Sequence, residues 1–240
     1  MRVIVVKDYE EMSEKAAELV AAQMTLKPNS ILGLATGTTP IGMYQRLIEM
    51  NKAGKIDFSK IKSFNLDEYY PIQPDNDQSY RYFMNKNLFD HVNIAKNNTR
   101  VPDGTAKDPV KEGKDYDEAI DRAGGIDLQI LGIGRNGHIG FNEPDTDLIA
   151  GTHRTMLTED TIEANSRLFN SIDEVPTQAI TMGMVSILKS KMIVLLANGK
   201  NKHEAVKKLL DDTITTSNPA TFLKTHPNVV IICDQECYNG

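Results

Sequence analysis

The residues best suited to chemistry lie in one segment, residues 131–144, which reads LGIGRNGHIGFNEP. The segment carries a titratable imidazole, His138, and a carboxylate five positions later, Glu143, with the amide of Asn142 beside it. An imidazole and a carboxylate held together can donate and accept protons during a reaction. The glycines of the segment let the backbone turn sharply and lie close to a ligand. The segment therefore predicts an active-site loop.

Two other interpretations of this segment are open. The spacing of its first glycines, GxGxxG, is also that of a dinucleotide-binding turn, which requires a helix start and an acidic residue about 20 positions later at a strand end. Pro144 would interrupt such a helix, and the acid near the required spacing, Glu159, belongs to a predicted helix start. A glycine-rich loop around a buried structural histidine is the simpler alternative. It would be preferred if His138 stood alone.

A second motif, TGTTP at residues 36–40, predicts an anion-binding turn. It follows a short apolar run, and Pro40 suits the first position of a helix. Thr38 or Thr39 could cap that helix. The free amides at its start, the positive end of its dipole, Gly37 and the threonine hydroxyls could together hold a phosphate. No Gly-Lys-Ser/Thr follows, which disfavours a nucleoside triphosphate, and an ordinary capped helix is the alternative.

A third motif, FNLDEYYP at residues 64–71, places two adjacent acids, Asp67 and Glu68, at the end of an extended run. A solvated acidic turn is the alternative interpretation. Farther along the chain, Lys200 follows a strongly apolar predicted strand, and Arg167 lies near the end of a predicted helix. These two cations could neutralise a phosphate held by the TGTTP turn.

The elements that must position these groups alternate along the chain between apolar runs and amphipathic stretches. This alternation predicts an α/β fold with a largely parallel open sheet and helices on both faces. Each chemical cluster follows a predicted strand. In an open parallel sheet the ligand binds beyond the carboxyl ends of the strands, so we expect the clusters to meet at one edge. Proton transfer on a small sugar phosphate would use such a set without a metal.

Composition narrows the class further. With 240 residues, we expect one domain over residues 1–240. The net charge of -6 disfavours nucleic acid or an anionic membrane as a partner. No apolar run is long enough to span a bilayer, and the first residues do not form a signal peptide. The two cysteines predict reduced thiols in a cytoplasmic protein, not a disulfide scaffold or a zinc site.

The three motifs, in this order and spacing, resemble the glucosamine-6-phosphate deaminase family, and the similarity extends from about residue 2 to the last predicted strand. The resemblance implies a modified Rossmann-like fold, no cofactor and no metal. It also implies conversion of glucosamine 6-phosphate and water into fructose 6-phosphate and ammonia, within amino-sugar catabolism. The implied partner is the small-molecule substrate, with no nucleic acid or membrane.

The resemblance also implies roles for individual residues. Asp67 would take the proton from C2 and return it at C1 through an enolamine, and His138 would assist ring opening, held by Glu143 and Asn136. The implied phosphate-binding residues are Thr36, Gly37, Thr38, Thr39, Arg167 and Lys200. Many family members have aspartate where this chain has Asn136. Because an amide carries no charge, we expect the interaction between Glu143 and His138 to contribute more to the pKa of the imidazole here.

Length separates this chain from the larger, hexameric members of the family, which continue well past the last strand and are allosterically activated. This comparison predicts a non-allosteric monomer or small homo-oligomer. The loop at residues 145–155 is the expected position of any lid. Two rivals share a related fold. One is 6-phosphogluconolactonase, whose usual continuation after the histidine differs from IGFNEP. The other is a sugar-phosphate-sensing domain, which carries an N-terminal DNA-binding helix that is not evident here.

Overall fold

The computed structural model describes residues 1–166, 169, 171 and 174–240, apart from the side chains of residues 160, 164 and 165. The strands in this part of the chain are β1 (Arg2–Val6), β2 (Ile31–Leu34), β3 (Lys62–Asn65), β4 (Asp67–Tyr70), β5 (Thr99–Arg100), β6 (Leu128–Leu131), β7 (His153–Met156), β8 (Gln178–Thr181), β9 (Ile193–Ala197) and β10 (Val229–Asp234). The α-helices are α1 (Tyr9–Leu26), α2 (Ile41–Lys52), α3 (Tyr80–Met84), α4 (Pro109–Ala123), α5 (Glu159–Ser166), α6 (Met184–Leu188), α7 (His203–Leu210) and α8 (Gln235–Asn239).

The larger sheet of the described residues is parallel, with the strand order β1-β10-β9-β6-β2-β3-β5. Four of its inner strands, β2, β6, β9 and β10, are buried along their whole length, as in IVLLA of β9 and VVIICD of β10. Such continuous aliphatic runs are typical of strands that are covered on both faces. The predicted α/β fold with a largely parallel open sheet is confirmed.

The order of the strands reverses at β2. From β2 the chain proceeds outward to β3 and β5, and it then returns to β6 on the other side of β2. The loops that leave the carboxyl ends of β2 and β6 therefore diverge, and a crevice opens between them. Ligands bind at such switch points in open α/β sheets.

A second, antiparallel sheet of three strands, in the order β4-β8-β7, was not predicted from the sequence. It is joined to the parallel sheet where β3 continues into β4 through Leu66, whose carbonyl accepts a hydrogen bond from Met182 N at 2.7 Å. In this sheet Asp67 lies opposite Thr181, and Thr181 lies opposite His153. Residues 153–155, which the sequence analysis placed in a lid loop, belong to strand β7. A small separate core packs beside this sheet around Tyr69.

Local sequence explains the helix ends clearly in α4. Asp108 precedes the helix and accepts hydrogen bonds from the N–H groups of Val110 and Lys111 at 3.0 Å, while Pro109 occupies the first turn. Gly124 ends the helix with φ of 104°, a left-handed conformation that glycine adopts without strain. The proline, glycine and aspartate content of residues 98–114 favours a surface loop there, and the structure corrects this expectation over its second part, because α4 already begins at Pro109. Within the described residues, no helix is both long and apolar enough to cross a membrane.

Candidate active site

A cavity of about 440 Å³ lies at the crevice between the loops that follow β2 and β6. Both predicted loops and the predicted acid of the third motif contribute to its walls. The lining residues are Ala35, Thr36, Gly37, Thr38, Thr39, Leu66, Asp67, Tyr80, Gly132, Ile133, Gly134, Arg135, His138, Gly140, Phe141, Thr161, Asn201 and Lys202. The expectation that the clusters meet at one edge of the sheet therefore holds for all three motifs.

The TGTT loop differs in detail from its prediction. The N-cap of α2 is Pro40, and no side chain caps the helix. Thr39 instead donates its hydroxyl proton to Asn198 Oδ1 at 3.2 Å, which joins this loop to the end of β9. The first amides of α2 are also occupied, because Gly42 N donates to Tyr9 Oη at 2.8 Å and Ile41 N donates to a loop carbonyl. The amides of these first two helical residues are therefore not free to bind an anion.

The donors that remain are in the loop itself. Within the described part of the chain, no intramolecular acceptor is recorded for the backbone N–H of Gly37, Thr38 or Thr39. Gly37 has φ of 87°, and a side chain would be strained in this conformation. Unpaired amides that line a cavity, with hydroxyl groups beside them, form a site for a phosphate or another oxyanion.

The loop after β6 holds His138 beside Glu143. Glu143 Oε2 lies 3.1 Å from His138 Nδ1 and accepts a hydrogen bond from Asn136 Nδ2 at 2.7 Å. The amide oxygen of Asn136 in turn accepts from the backbone N–H of His138 at 3.2 Å. His138 lines the cavity, whereas Asn136 and Glu143 lie behind it. These two residues therefore orient the imidazole and do not themselves form the cavity wall.

Glu143 is held in its ionised form. Its side chain is only 8% exposed, and this burial opposes ionisation. Hydrogen bonds from His138, Thr161 and Asn136, together with the charge of the imidazole, nevertheless lower the pKa of Glu143 to about 2. An ionised carboxylate only accepts hydrogen bonds, so His138 must carry a proton on Nδ1. The other ring nitrogen, Nε2, is then the one that can exchange a proton in the cavity.

Asp67 lies in the opposite electrostatic situation. It begins β4 and is 6% exposed. Burial, with the nearby charge of Glu68, raises the pKa of Asp67 to about 8. Among the described residues no hydrogen-bond donor to its carboxylate contributes to this pKa. A buried carboxylate with a pKa near neutrality, at the wall of a cavity, can both take up and release a proton.

The adjacent acid, Glu68, has a different partner set. Its carboxylate accepts hydrogen bonds from the backbone N–H groups of Tyr69, Tyr80 and Arg81 at 2.8–2.9 Å. The latter two begin α3, so Glu68 holds the start of this helix against β4. Burial raises the pKa of Glu68 to about 7, against these donors, which lower it. Glu68 does not line the cavity, and Tyr80, which it anchors, does.

Of the two cations predicted to neutralise a phosphate, Lys200 and Arg167, the structure describes only Lys200. Lys200 is exposed and does not line the cavity, whereas Lys202, two residues later, does. The residues after β9 form a tight 3-10 turn, Lys200–Lys202, which brings Asn201 and Lys202 to the cavity. Arg135 also lines the cavity. Arg167 lies outside the described residues.

Besides Arg135, Asn201 and Lys202, sequence reasoning also missed Thr161, Tyr80 and Phe141 as cavity residues. Thr161 belongs to α5 and contacts Glu143, and the ring of Tyr80 stacks on that of Phe141 with a centroid distance of 6.1 Å. The only signal for Thr161 was its place in a helix start, which reveals nothing about its partner across space. Among the described residues, no group of three or more histidine, cysteine or acidic side chains is arranged to hold a metal ion.

Comparison with known proteins gives a consistent picture. Residues 7–231 match the family model described as glucosamine-6-phosphate isomerases/6-phosphogluconolactonase. The glucosamine-6-phosphate deaminase of Thermoanaerobacter pseudethanolicus is 58% identical over 236 residues, which cover 98% of this chain and 93% of that protein.

Solved structures agree with this match. A structure described as a monomeric glucosamine-6-phosphate deaminase has a TM-score of 0.97 at 44% identity and covers 100% of this chain and 99% of its own. A 6-phosphogluconolactonase from Thermotoga maritima has a TM-score of 0.76 at 23% identity, with coverage of 98% and 99%. The second similarity shows a shared fold alone.

Proposed function

Because the chain belongs to the family of glucosamine-6-phosphate isomerases and 6-phosphogluconolactonases, we propose that it is a glucosamine-6-phosphate deaminase. The reaction converts glucosamine 6-phosphate and water into fructose 6-phosphate and ammonia. The observation that carries the proposal is the pairing, in one cavity, of a buried carboxylate of raised pKa, Asp67, with an oriented imidazole, His138. A curated relative of that name, 58% identical over nearly the whole chain, supports the same reaction.

In the proposed mechanism, His138 first helps to open the sugar ring. It moves a proton from the anomeric hydroxyl to the ring oxygen, which produces the open-chain aldehyde. Glu143 and Asn136 hold the imidazole during this step by the hydrogen bonds described above. General acid–base help of this kind accelerates a reaction by about 10²–10⁴-fold.

Asp67 then carries out the isomerisation. Its carboxylate removes the proton from C2, giving an enolamine, and returns it to C1, giving an imine at C2. Water adds to this imine, and ammonia leaves. A base with a pKa near the working pH is suited to a proton that must be both removed and returned.

The proposed phosphate site is the TGTT loop, residues 36–39, with its threonine hydroxyls and with backbone amides that have no acceptor among the described residues. Lys202 lines the same cavity as this loop and supplies a compensating positive charge. Of the two cations implied by the resemblance, Arg167 remains part of the proposal through that resemblance alone. Lys200 is replaced in the proposal by Lys202, because the exposed Lys200 does not line the cavity.

The remaining parts of the proposal concern the whole chain. We propose that residues 1–240 act as one catalytic domain in the cytoplasm, where a sugar-phosphate enzyme meets its substrate. A monomer or small homo-oligomer is proposed, supported by the solved relative at 44% identity that is described as monomeric. Sedimentation of the purified protein would measure this state directly.

The first experiment measures ammonia release from glucosamine 6-phosphate by the wild type and by Asp67→Asn. We expect release by the wild type and a loss of at least about 10³-fold in the variant, since the proton-transferring group is gone. A folded wild type that releases no ammonia would reject the deaminase assignment. The same preparation would then be tested for hydrolysis of 6-phosphogluconolactone.

A matched pair of variants tests the phosphate site. Lys202→Ala is expected to raise KM by roughly 10–100-fold, because a charge-assisted contact to the phosphate is lost. Lys200→Ala, two residues away on the same turn, is expected to leave KM within about twofold, as for other exposed substitutions. Equal effects of the two substitutions would contradict the placement of the phosphate beside Lys202.

A further inference from the structure

Helix α5 makes a contact with the histidine–carboxylate pair that no motif of the loop includes. Thr161, in the first turn of α5, donates its hydroxyl proton to Glu143 Oε1 at 2.6 Å. The side chain is 5% exposed and lines the catalytic cavity. We propose that Thr161 is a positioning residue, which fixes the plane of the Glu143 carboxylate and thereby the orientation of His138. This inference rests on the deaminase function proposed above.

The two carboxylate oxygens of Glu143 accept hydrogen bonds from different parts of the molecule. Oε2 accepts from Asn136 and His138, which both belong to the loop after β6. The donor recorded for Oε1, within the described part of the chain, is Thr161 of α5. Rotation about the last bond of a glutamate is soft, with broad minima. A donor on the second oxygen, from a separate element, therefore determines the angle at which the first oxygen meets His138 Nδ1.

The direction of the Thr161 hydrogen bond is determined by its neighbour, Thr158. The hydroxyl of Thr158 accepts from Thr161 N at 3.3 Å, in the manner of a helix N-cap, and donates to Thr161 Oγ1 at 3.1 Å. Thr161 Oγ1 thus already accepts a proton from Thr158. Its own proton points to the ionised carboxylate, which can only accept. The N-cap of α5 and the carboxylate are joined in one oriented chain of hydrogen bonds.

The catalytic consequence concerns the turnover rate more than the affinity. Glu143 lies behind the cavity wall, so loss of the Thr161 hydroxyl leaves the phosphate-binding loop intact. The imidazole, however, would no longer be held at one angle, and its neutral form could place the proton on Nε2. In that tautomer Nδ1 has no proton to donate to Glu143.

The test compares Thr161→Val, which removes the hydroxyl and keeps the shape, with Thr161→Ser, which keeps the hydroxyl. We expect Thr161→Val to lower kcat roughly tenfold or more with KM within about twofold, and Thr161→Ser to retain kcat within about threefold. Thr155→Val serves as the matched control, because Thr155 is a partly exposed threonine of β7 whose hydroxyl, within the described part of the chain, donates to the backbone carbonyl of Met156 at 3.3 Å and contacts no catalytic residue. Its kcat is expected to equal that of the wild type.

A second readout needs no substrate. In protein labelled with ¹⁵N-histidine, the ring of His138, assigned by its loss in His138→Gln, is expected to carry its neutral-form proton on Nδ1. Thr161→Val should increase the Nε2–H tautomer, and Thr161→Ser should not. An unchanged tautomer and unchanged kcat in Thr161→Val would overturn the proposal, as would a Thr161→Ser variant as impaired as Thr161→Val. A tautomer shift in a protein that releases no ammonia would reject the deaminase function and retain the role of Thr161.

Discussion

The two walls of the cavity hold their carboxylates in opposite ways. On the wall formed by the loop after β6, Glu143 receives three hydrogen bonds, and its pKa falls to about 2 despite burial. On the wall formed by β4, Asp67 is buried near a second acid, and its pKa rises to about 8. Both side chains are almost inaccessible to water. Hydrogen bonds and the charge of the imidazole thus outweigh burial at Glu143 and keep it ionised, whereas at Asp67 burial beside Glu68 dominates and allows the carboxyl to carry a proton.

The largest expected effect concerns the raised pKa of the Asp67 carboxyl group and its influence on the free energy of unfolding. Because its pKa is about 8 in the folded state and about 4 in the unfolded state, the folded protein binds one more proton between these pH values. The free energy of unfolding should therefore fall as pH rises from about 4 to 8, by up to about 5 kcal/mol. Asp67→Asn should lose this part of the pH dependence and become more stable than the wild type near pH 8.

Chemical denaturation at pH 5 and pH 8 measures the difference. Asp147→Asn, at an exposed acid in the described part of the chain, is the control and should follow the wild type at both pH values. If Asp67→Asn showed the same pH dependence as the wild type, the Asp67 carboxylate would not be held protonated by its surroundings. The contrast between the two walls would then be wrong.

Glu143→Gln tests the fixed charge of the opposite wall. The amide retains the volume of the side chain but offers one acceptor oxygen to three donors, so the imidazole loses its anchor. We expect kcat/KM to fall by about 10²-fold. The rise of kcat/KM with pH, as Asp67 loses its proton near pH 8, should keep its midpoint, because Glu143 does not contribute to the pKa of Asp67. A midpoint displaced by a full pH unit would show that the two walls titrate together.

Asn136→Asp is expected to have the smallest effect. The substitution replaces an amide that donates to Glu143 at 2.7 Å by a second carboxylate, and two carboxylates at this distance share a proton. The apparent pKa of the two carboxylates, that of Glu143 and the one introduced at residue 136, should rise. The acidic part of the pH–rate profile should therefore move toward neutrality. The maximal rate should remain within about tenfold, because many members of the resembling family carry aspartate here. An unchanged profile would show that the charge at residue 136 does not influence His138.

The comparison of sequence and structure shows what local patterns can predict. The buried strands and the amphipathic helices followed from the spacing of apolar residues, although the first part of α4, which Asp108 caps, was expected to be loop. The edge of the sheet at which the motifs meet followed from the alternation of elements. The antiparallel sheet did not, because a strand as short and polar as β7, HRTM, carries no apolar run that would distinguish it from a loop.

Several features of the site could not be predicted from the sequence, for one reason. That Lys202 and not Lys200 lines the cavity depends on a single 3-10 turn, whose direction no composition rule specifies. The distinction between Asp67 and Glu68 depended on the position of α3, whose amides satisfy one acid and not the other. Likewise, the hydrogen bond from Thr161 to Glu143 depends on how α5 packs against the loop after β6. In each case the decisive partner is distant in sequence, so a pattern within one segment carries no information about it.

One contact within the catalytic loop limits how its sequence can vary. A Cβ atom at Gly134 would lie 2.3 Å from Cε1 of His138, so the imidazole rests against the bare Cα of a residue four positions earlier. The loop also closes on itself between these two residues, since Gly134 N donates to His138 O at 2.9 Å. The number of residues between Gly134 and His138 is therefore fixed by these two contacts. Insertions and deletions should be excluded from these positions, even where the loop on either side is free to diverge.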